Sequence, residues 1–151
     1  MDDGLRELYQ EVILDHSRHP RHFGVLDAPT HTGEGYNPLC GDRVKLFLAV
    51  DGDGRITDVK FDGKGCAISQ ASASLMTDML AGRSVAEAEK LMDGFLHLVK
   101  GENADDLDVD DRERLDVMAG VSAFPMRVKC ATLAWHTMKS ALEGGEPAII
   151  E

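Results

Sequence analysis

Apolar residues recur at helical spacing in four stretches of the chain. The first covers residues 3–16, and a proline shortly after it prevents the helix from continuing. A second helix is predicted after Cys66, and a third begins at the capping-box sequence Ser84-Val85-Ala86-Glu87. The last begins near Pro125, a favourable first-turn residue, and ends at Gly144-Gly145. Each apolar stripe needs a surface to pack against.

Two short segments alternate between apolar and polar residues, as half-buried strands do. They are residues 44–50 and 56–62, and the sequence Asp51-Gly52-Asp53-Gly54 between them is typical of a hairpin turn. Residues 30–37 are Gly-rich, weakly extended and lead into Cys40. The 151 residues suit one domain with a core of its own.

The chain is acidic, with 16 basic and 27 acidic residues and a net charge of −11. This charge repels phosphate backbones and anionic lipid headgroups, so we expect neither nucleic acid nor membrane surfaces as partners. No apolar run approaches the ~18–20 residues of a membrane span. The N-terminal Met1-Asp2-Asp3 is acidic where a signal peptide is basic. We therefore expect a cytoplasmic protein.

Three cysteines carry the candidate chemistry. Cys40 shares a Gly-containing turn with Asp42, Cys66 follows Gly-Lys-Gly, and Cys130 ends the sequence Arg-Val-Lys-Cys. An odd number argues against a disulfide framework, which leaves buried, catalytic or metal-bound thiols as the alternatives. We interpret the three thiolates and the Asp42 carboxylate as a four-ligand shell. Sulfur-rich tetrahedral surroundings suit zinc or an iron–sulfur cluster.

Two of these cysteines have neighbours that favour the thiolate. Cys66 is predicted at a strand-to-helix junction, where free backbone N–H groups stabilise a negative charge. Arg127 is three residues before Cys130 and Lys129 is adjacent to it. Because nearby cations favour the charged form of a thiol, we expect both to lower the pKa of Cys130.

Two other groups of residues resemble metal-binding sites in composition. The three histidines of residues 16–22 are interrupted by Pro20, which prevents one helix from aligning them, so a polar loop is the preferred interpretation. Residues 102–116 hold eight acidic residues and two arginines, which predicts a solvated insertion. Its resemblance to a calcium loop fails, because Asp111 stands where glycine is needed and Val117 where glutamate is needed.

Several segments together resemble the IscU/NifU-N family of iron–sulfur cluster assembly proteins, and within it the SufU branch. The resemblance covers nearly the whole chain, includes all three cysteines in order, and rests on Leu8-Tyr9, Val12-Ile13-Leu14-Asp15-His16, Pro20-Arg21, Gly24, Cys40-Gly41-Asp42, Gly65-Cys66-Ala67-Ile68-Ser69 and Arg127-Val128-Lys129-Cys130-Ala131. Two features indicate the branch. Lys129 stands where scaffold proteins have histidine before the third cysteine, and the acidic insertion 102–116 is typical of SufU-like chains.

The resemblance implies a single α+β domain over residues 1–151, with 102–116 as an acidic insertion. In that fold, helices pack on a small antiparallel three-stranded sheet and the cysteines cluster at one end. The implied function is a zinc-dependent sulfurtransferase that accepts persulfide sulfur from a cysteine desulfurase, itself a pyridoxal phosphate enzyme. Downstream cluster-assembly proteins are further expected partners. The implied Zn²⁺ ligands are Cys40, Asp42, Cys66 and Cys130.

Cys40 and Asp42 are the expected catalytic residues. A persulfide offers an electrophilic outer sulfur, which a deprotonated and mobile thiol must reach. Cys66 and Cys130 are held by predicted helices, whereas Cys40 lies on a Gly-flanked loop. Asp42, a harder and less tightly held ligand than a fourth thiolate, is expected to hold the metal while Cys40 leaves it.

Two other functions remain open at this point. The same thiolates could build a transient [2Fe–2S] cluster as a scaffold, although Lys129 offers no lone pair to iron. A purely structural zinc site in an adaptor protein is the second alternative. Structural sites are usually closed by four Cys or His ligands, which the Asp42 carboxylate beside a glycine does not match.

Overall fold

Five α-helices, four β-strands and one 3₁₀ helix make up the computed structural model, which describes residues 3–105, 107–144 and 148–149. In chain order they are α1 (Asp3–Arg18), β1 (His31–Asn37), β2 (Asp42–Val50), β3 (Ile56–Lys64), α2 (Ala67–Leu80), α3 (Val85–Val99), α4 (Val109–Leu115), the 3₁₀ helix (Asp116–Ala123), α5 (Pro125–Glu143) and β4 (Ala148–Ile149). The periodic segments are confirmed as α1, α2, α3, α5 and the β2–β3 hairpin. The sequence features at Met1, Asp2, Asp106 and Gly145 lie outside the described residues. None of the described helices combines the length and apolarity that crossing a membrane requires.

The sheet is mixed and has the strand order β3-β2-β1-β4. β1 and β3 both pair antiparallel with β2, and Asn37 lies opposite Asp42 in the first of these pairings. The expectation of three antiparallel strands is corrected by β4, which pairs parallel to β1 through Gly35–Ala148 and Tyr36–Ile149. A strand of two residues is too short to show an alternating pattern, so the sequence does not predict it.

α5 lies against β1 so closely that side chains on two glycines would collide with it. A Cβ atom at Gly33 would lie 2.8 Å from the carbonyl oxygen of Thr137. One at Gly35 would overlap the Thr137 hydroxyl. Glycine at both positions therefore lets the helix approach the strand, and this approach places Cys130 near the end of β1.

The acidic segment 102–116 is anchored to the core and is not a solvated insertion throughout. Its carboxylates are mostly exposed, but Leu107 and Leu115 are buried at 9% and 0% exposure. Asp111 is buried too, and forms an ion pair with Arg83. The apolar residues are too widely spaced among the acids to show a periodic pattern, so charge dominates the sequence-based prediction.

Candidate metal centre

Cys40 lies in a tight turn between β1 and β2. β1 ends at Asn37, whose carbonyl oxygen accepts hydrogen bonds from the backbone N–H groups of Cys40 at 3.2 Å and Gly41 at 2.8 Å. Gly41 has a φ of +72°, a left-handed conformation that glycine adopts without strain. A side chain there would meet nothing within 4 Å. The turn therefore leaves Cys40 exposed with open space beside it.

Asp42 is the first residue of β2 and is 1% exposed. Its Oδ1 atom accepts a hydrogen bond from the backbone N–H of Cys66 at 3.0 Å. Its Oδ2 atom is buried and has no hydrogen-bond partner in the described part of the chain. A buried carboxylate is unfavourable unless its charge is balanced. The Oδ2 atom of Asp42 is therefore a candidate ligand for a cation.

Cys66 caps the N-terminus of α2, which confirms its prediction at a strand-to-helix junction. Its Sγ atom accepts a hydrogen bond from the backbone N–H of Ser69 at 3.4 Å. Gly65 makes room for this arrangement, because a Cβ atom there would lie 2.7 Å from Asp42 Oδ1 and 3.1 Å from the Ser69 hydroxyl oxygen. Glycine at this junction therefore allows the Cys66 N–H to reach the Asp42 carboxylate.

Cys130 brings a buried thiol to the same point from the second turn of α5. Its Sγ atom is 3.7 Å from the Sγ atom of Cys40, longer than the about 2.0 Å of a disulfide bond. One ligand atom each from Cys40, Asp42 and Cys130 lies within 4.8 Å of the other two. The structure thus brings three of the four predicted ligands together. Cys66 is not one of these three, although its backbone N–H contacts Asp42 and its thiol neighbours Cys130.

The electrostatics of Cys130 differ from the expectation. Burial raises the pKa of the Cys130 thiol far above its ordinary value, and the neighbouring Asp42 carboxylate and Cys66 thiol raise it further. The prediction that Arg127 and Lys129 lower this pKa is wrong. The Arg127 guanidinium lies over the Phe124 ring, 4.5 Å from its centroid, so it is paired elsewhere.

The donor set fits a sulfur-binding metal. Cys40, Cys66 and Cys130 offer sulfur ligands, and the Oδ2 atom of Asp42 offers an oxygen that has no other partner. Metal binding must displace the protons from these thiols, which couples affinity to pH. Such donors suit Zn²⁺ and iron–sulfur clusters alike.

The three histidines of residues 16–22 contact separate partners. His16 Nδ1 is 2.8 Å from the Ser74 hydroxyl oxygen. His19 Nδ1 is 3.6 Å from Asp15 Oδ1. The Nε2 atom of His22 is 3.4 Å from Asp78 Oδ1. The contacts of His16 and His22 join the end of α1 and the following loop to α2, whereas the contact of His19 stays at the end of α1.

Sequence reasoning missed two residues of the site, Gly65 and Asn37. Asn37 is 0% exposed, and neither its Nδ2 nor its Oδ1 atom has a hydrogen-bond partner among the described residues. The available signal is alternation along β1, where Gly33 and Gly35 take the two preceding inward positions. A polar amide at the next inward position, directly before the Cys40 turn, is unusual for a core.

Apolar side chains flank the site. Leu39, Phe124 and Met126 are 64%, 49% and 44% exposed, and they adjoin the Cys40 turn and the first turn of α5. A groove of about 560 Å³ lies between α1, the start of α2 and the 3₁₀ helix, lined in part by Ile13 and Ile68.

The amino-acid sequence of this chain is similar to those of iron–sulfur cluster assembly proteins. The model of the NifU-like N terminal domain matches residues 8–131. Over 145 residues the chain is 42% identical to the zinc-dependent sulfurtransferase SufU of Bacillus subtilis, covering 93% of this chain and 95% of that protein. Over 140 residues it is 43% identical to the iron–sulfur cluster assembly scaffold protein IscU of Streptococcus pyogenes serotype M1, covering 92% and 85%.

Solved structures share the α+β fold. A proposed iron–sulfur cluster assembly scaffold for the SUF system from Fervidobacterium islandicum AW-1 matches with a TM-score of 0.81 and 35% identity, covering 93% of this chain and 99% of that chain. The N-terminal part of a nitrogen-fixing NifU-like protein from Brucella abortus matches with a TM-score of 0.80 and 21% identity, covering 92% and 94%. The second likeness concerns the fold alone.

Proposed function

The chain belongs to the NifU-like N-terminal domain family, and from that premise we propose that it is a zinc-dependent sulfurtransferase of iron–sulfur cluster assembly. It accepts persulfide sulfur from a cysteine desulfurase. The observation that carries the proposal is the unequal exposure of the convergent ligands. Cys40 is exposed on a turn, whereas Asp42 and Cys130 are buried. Cys66 is exposed too, but its Sγ atom accepts a hydrogen bond from the Ser69 N–H at the start of α2. Cys40 is therefore the ligand that can leave the site while the others stay in place.

Cys40, Asp42, Cys66 and Cys130 would hold the zinc. When bound, Zn²⁺ would keep these thiols deprotonated without changing its own redox state. The chain fixes three of the ligands through its own backbone. Cys130 is held within α5, the Ser69 N–H fixes the Cys66 sulfur, and the Cys66 N–H fixes the Asp42 carboxylate.

The transfer itself is a thiol–persulfide exchange. The Cys40 thiolate attacks the outer sulfur of the desulfurase persulfide, and a new S–S bond forms at Cys40 Sγ. The S–S bond of the donor breaks, and its electron pair leaves with the donor's cysteine as a thiolate. One anionic sulfur is consumed and one is formed, so no external oxidant or reductant is needed.

The surface around Cys40 suits docking of a protein donor. Leu39, Phe124 and Met126 are large apolar side chains exposed beside the turn and the start of α5. A desulfurase that covers them would bring its persulfide to Cys40 and exclude water from the reacting sulfurs. Burial of apolar area would supply the attraction that the acidic surface of the chain cannot provide towards an anionic partner.

A [2Fe–2S] scaffold is the second candidate, because the chain is as similar to a scaffold-type relative as to the sulfurtransferase. Lys129 argues against it, since an ammonium group supplies no lone pair to iron. A structural zinc site in an adaptor is disfavoured by the exposure of Cys40, because structural sites are closed.

Metal content and the absorption spectrum of the purified protein separate the sulfurtransferase from the scaffold. A colourless protein with about one zinc per chain supports sulfur transfer. A brown protein with bound iron and sulfide supports the scaffold and contradicts the sulfurtransferase.

A single substitution tests the acceptor. Cys40→Ala should abolish the stimulation of desulfurase turnover by this protein, because the other exposed thiol, Cys66, is held as the cap of α2 and Cys130 is buried. Glu89→Ala, at an exposed position of α3, is the control and should leave turnover unchanged. Full stimulation by Cys40→Ala would show that another group accepts the sulfur.

A further inference from the structure

The amide side chain of Asn37 makes no hydrogen bond to the rest of the described chain. It is 0% exposed, and both ends of its amide lack a hydrogen-bond partner among the described residues. Buried amides are normally hydrogen-bonded, because desolvation without a partner is unfavourable. The backbone carbonyl of Asn37 does organise the Cys40 turn, but any residue offers that carbonyl. The amide side chain therefore needs a separate explanation.

The sheet register places Asn37 directly beside Asp42. The two residues are cross-strand partners in the β1–β2 pairing, and both are buried. Directly opposed residues of an antiparallel pair project to the same face, with Cβ atoms about 4.5–5.5 Å apart. The Oδ2 atom of Asp42 is the other buried side-chain oxygen in this region without a partner among the described residues. An unused amide donor thus lies next to an unused carboxylate acceptor.

The packing of α5 brings Cys130 to the same level. Successive inward positions along β1 face successively earlier residues of α5. A Cβ atom at Gly33 would contact Ala141, and one at Gly35 would contact Leu133 and Thr137. Two strand residues span about 6.6 Å, close to the about 6 Å of four helical residues. The next inward position, Asn37, therefore lies level with residues 129–131, which include Cys130.

We propose that Asn37 is a positioning residue of the metal centre, whose amide N–H donates to the Asp42 carboxylate when the cation is bound. A carboxylate that ligates a metal keeps lone pairs that can accept an amide hydrogen. The bond fixes the orientation of Asp42, which must hold the metal while Cys40 is away. Partners of this kind typically change metal affinity 10–100-fold. The inference rests on the metal site of the proposed function.

The test compares metal affinity with stability of the metal-free protein. Asn37→Leu keeps a similar volume and removes both polar ends, and Asn37→Ala serves if leucine does not fit. Zinc affinity is measured by competition with a chromophoric chelator, and stability by urea unfolding after metal removal. We expect zinc binding to weaken about 10–100-fold, with a urea midpoint equal to or above that of the wild type. Asn103→Leu, an exposed asparagine, is the matched control and should bind zinc normally.

The outcomes separate this inference from the proposed function. If the wild type binds zinc and the Asn37 variants bind it equally well, the positioning role is wrong and the metal site stands. If the variants lose zinc affinity and metal-free stability together, Asn37 is a structural residue and the inference fails. If the wild type binds no zinc, the metal site and the role of Asn37 both fall. Cobalt substitution adds a spectroscopic readout, since a reoriented Asp42 changes the visible bands.

Discussion

Asp42 and Asp111 are buried to a similar degree, with 1% and 7% of their surface exposed. Within the described residues, only Asp111 has its charge balanced by a basic side chain. Asp111 accepts hydrogen bonds from both terminal guanidinium nitrogens of Arg83, at 3.0 and 2.5 Å. Asp42 accepts one from the backbone of Cys66, and its second oxygen has no partner among the described residues. A carboxylate paired within the chain stabilises the fold, whereas an unpaired one beside thiols is a candidate ligand for an external cation.

Substitution of Asp42 should give the largest effect and separate function from stability. Asp42→Asn removes an anionic ligand, so zinc affinity should fall by more than about 100-fold, the upper range for losing a supporting residue. The free energy of unfolding of the metal-free protein should stay equal or rise, because an unbalanced buried charge is gone. Chelator competition and urea unfolding measure the two quantities. A large loss of metal-free stability would contradict the comparison.

Substitution of Asp111 should give the opposite result. Asp111→Asn leaves the partly buried Arg83 guanidinium without its anion, so the free energy of unfolding should fall by about 2–3 kcal/mol. Zinc affinity should equal that of the wild type, because Asp111 lies outside the convergent ligand group. Urea unfolding of the metal-free protein gives the first value. If Asp111→Asn weakened zinc binding as strongly as Asp42→Asn, the two aspartates would not be distinct in role.

His16 extends the comparison to a group whose protonated form the fold disfavours. Burial, and then the charge of Arg21, lowers the pKa of His16. Above the ordinary histidine value of about 6.5, His16 is neutral in the folded and unfolded states and stability is fully present. As pH falls below that value, His16 takes up a proton in the unfolded chain before it does so in the folded chain. The free energy of unfolding therefore decreases between the ordinary histidine pKa and the lower pKa of the folded state.

The measurement is the free energy of unfolding of the metal-free protein as a function of pH. His16→Gln should flatten the decline below about pH 6.5, because glutamine cannot titrate. Burial also lowers the pKa of His136, so part of the decline should remain in this variant. An unchanged decline in His16→Gln would show that His16 is not disfavoured in its protonated form.

The smallest effect is expected for an exposed carboxylate. Glu34 lies 3.9 Å from Lys45, and their side chains are 45% and 52% exposed. Water screens such a pair, so Glu34→Gln should change the free energy of unfolding by less than about 0.5 kcal/mol. A change as large as that of Asp111→Asn would show that burial does not decide the importance of a carboxylate here.

Local patterns predict those parts of the fold that depend on neighbouring residues. The capping box of α3 is present in both directions, because Ser84 and Glu87 need only each other. β4 and the anchoring of the acidic segment depend on distant partners. Ala148 pairs with Gly35, and Leu107 packs over Gly94, where a side chain would collide with it. No pattern within either segment contains that information.

The site divides in the same way. Cys40, Asp42 and Cys130 can be proposed from residue types and neighbours, and the fold then brings their ligand atoms together. The roles of Gly65 and Asn37 depend on what lies across from them in space. The electrostatic prediction for Cys130 fails for a related reason. Sequence proximity to Arg127 does not reveal that its guanidinium lies over an aromatic ring or that burial dominates.

The central claim is that Cys40 leaves the ligand set to accept sulfur. The direct measurement is peptide mass spectrometry of the zinc-loaded protein after incubation with a cysteine desulfurase and cysteine, with persulfides trapped by alkylation. The account predicts one additional sulfur on the peptide that contains Cys40 and none on those of Cys66 and Cys130. Additional sulfur on Cys66 or Cys130 alone, or none on the chain while the desulfurase turns over, would contradict it.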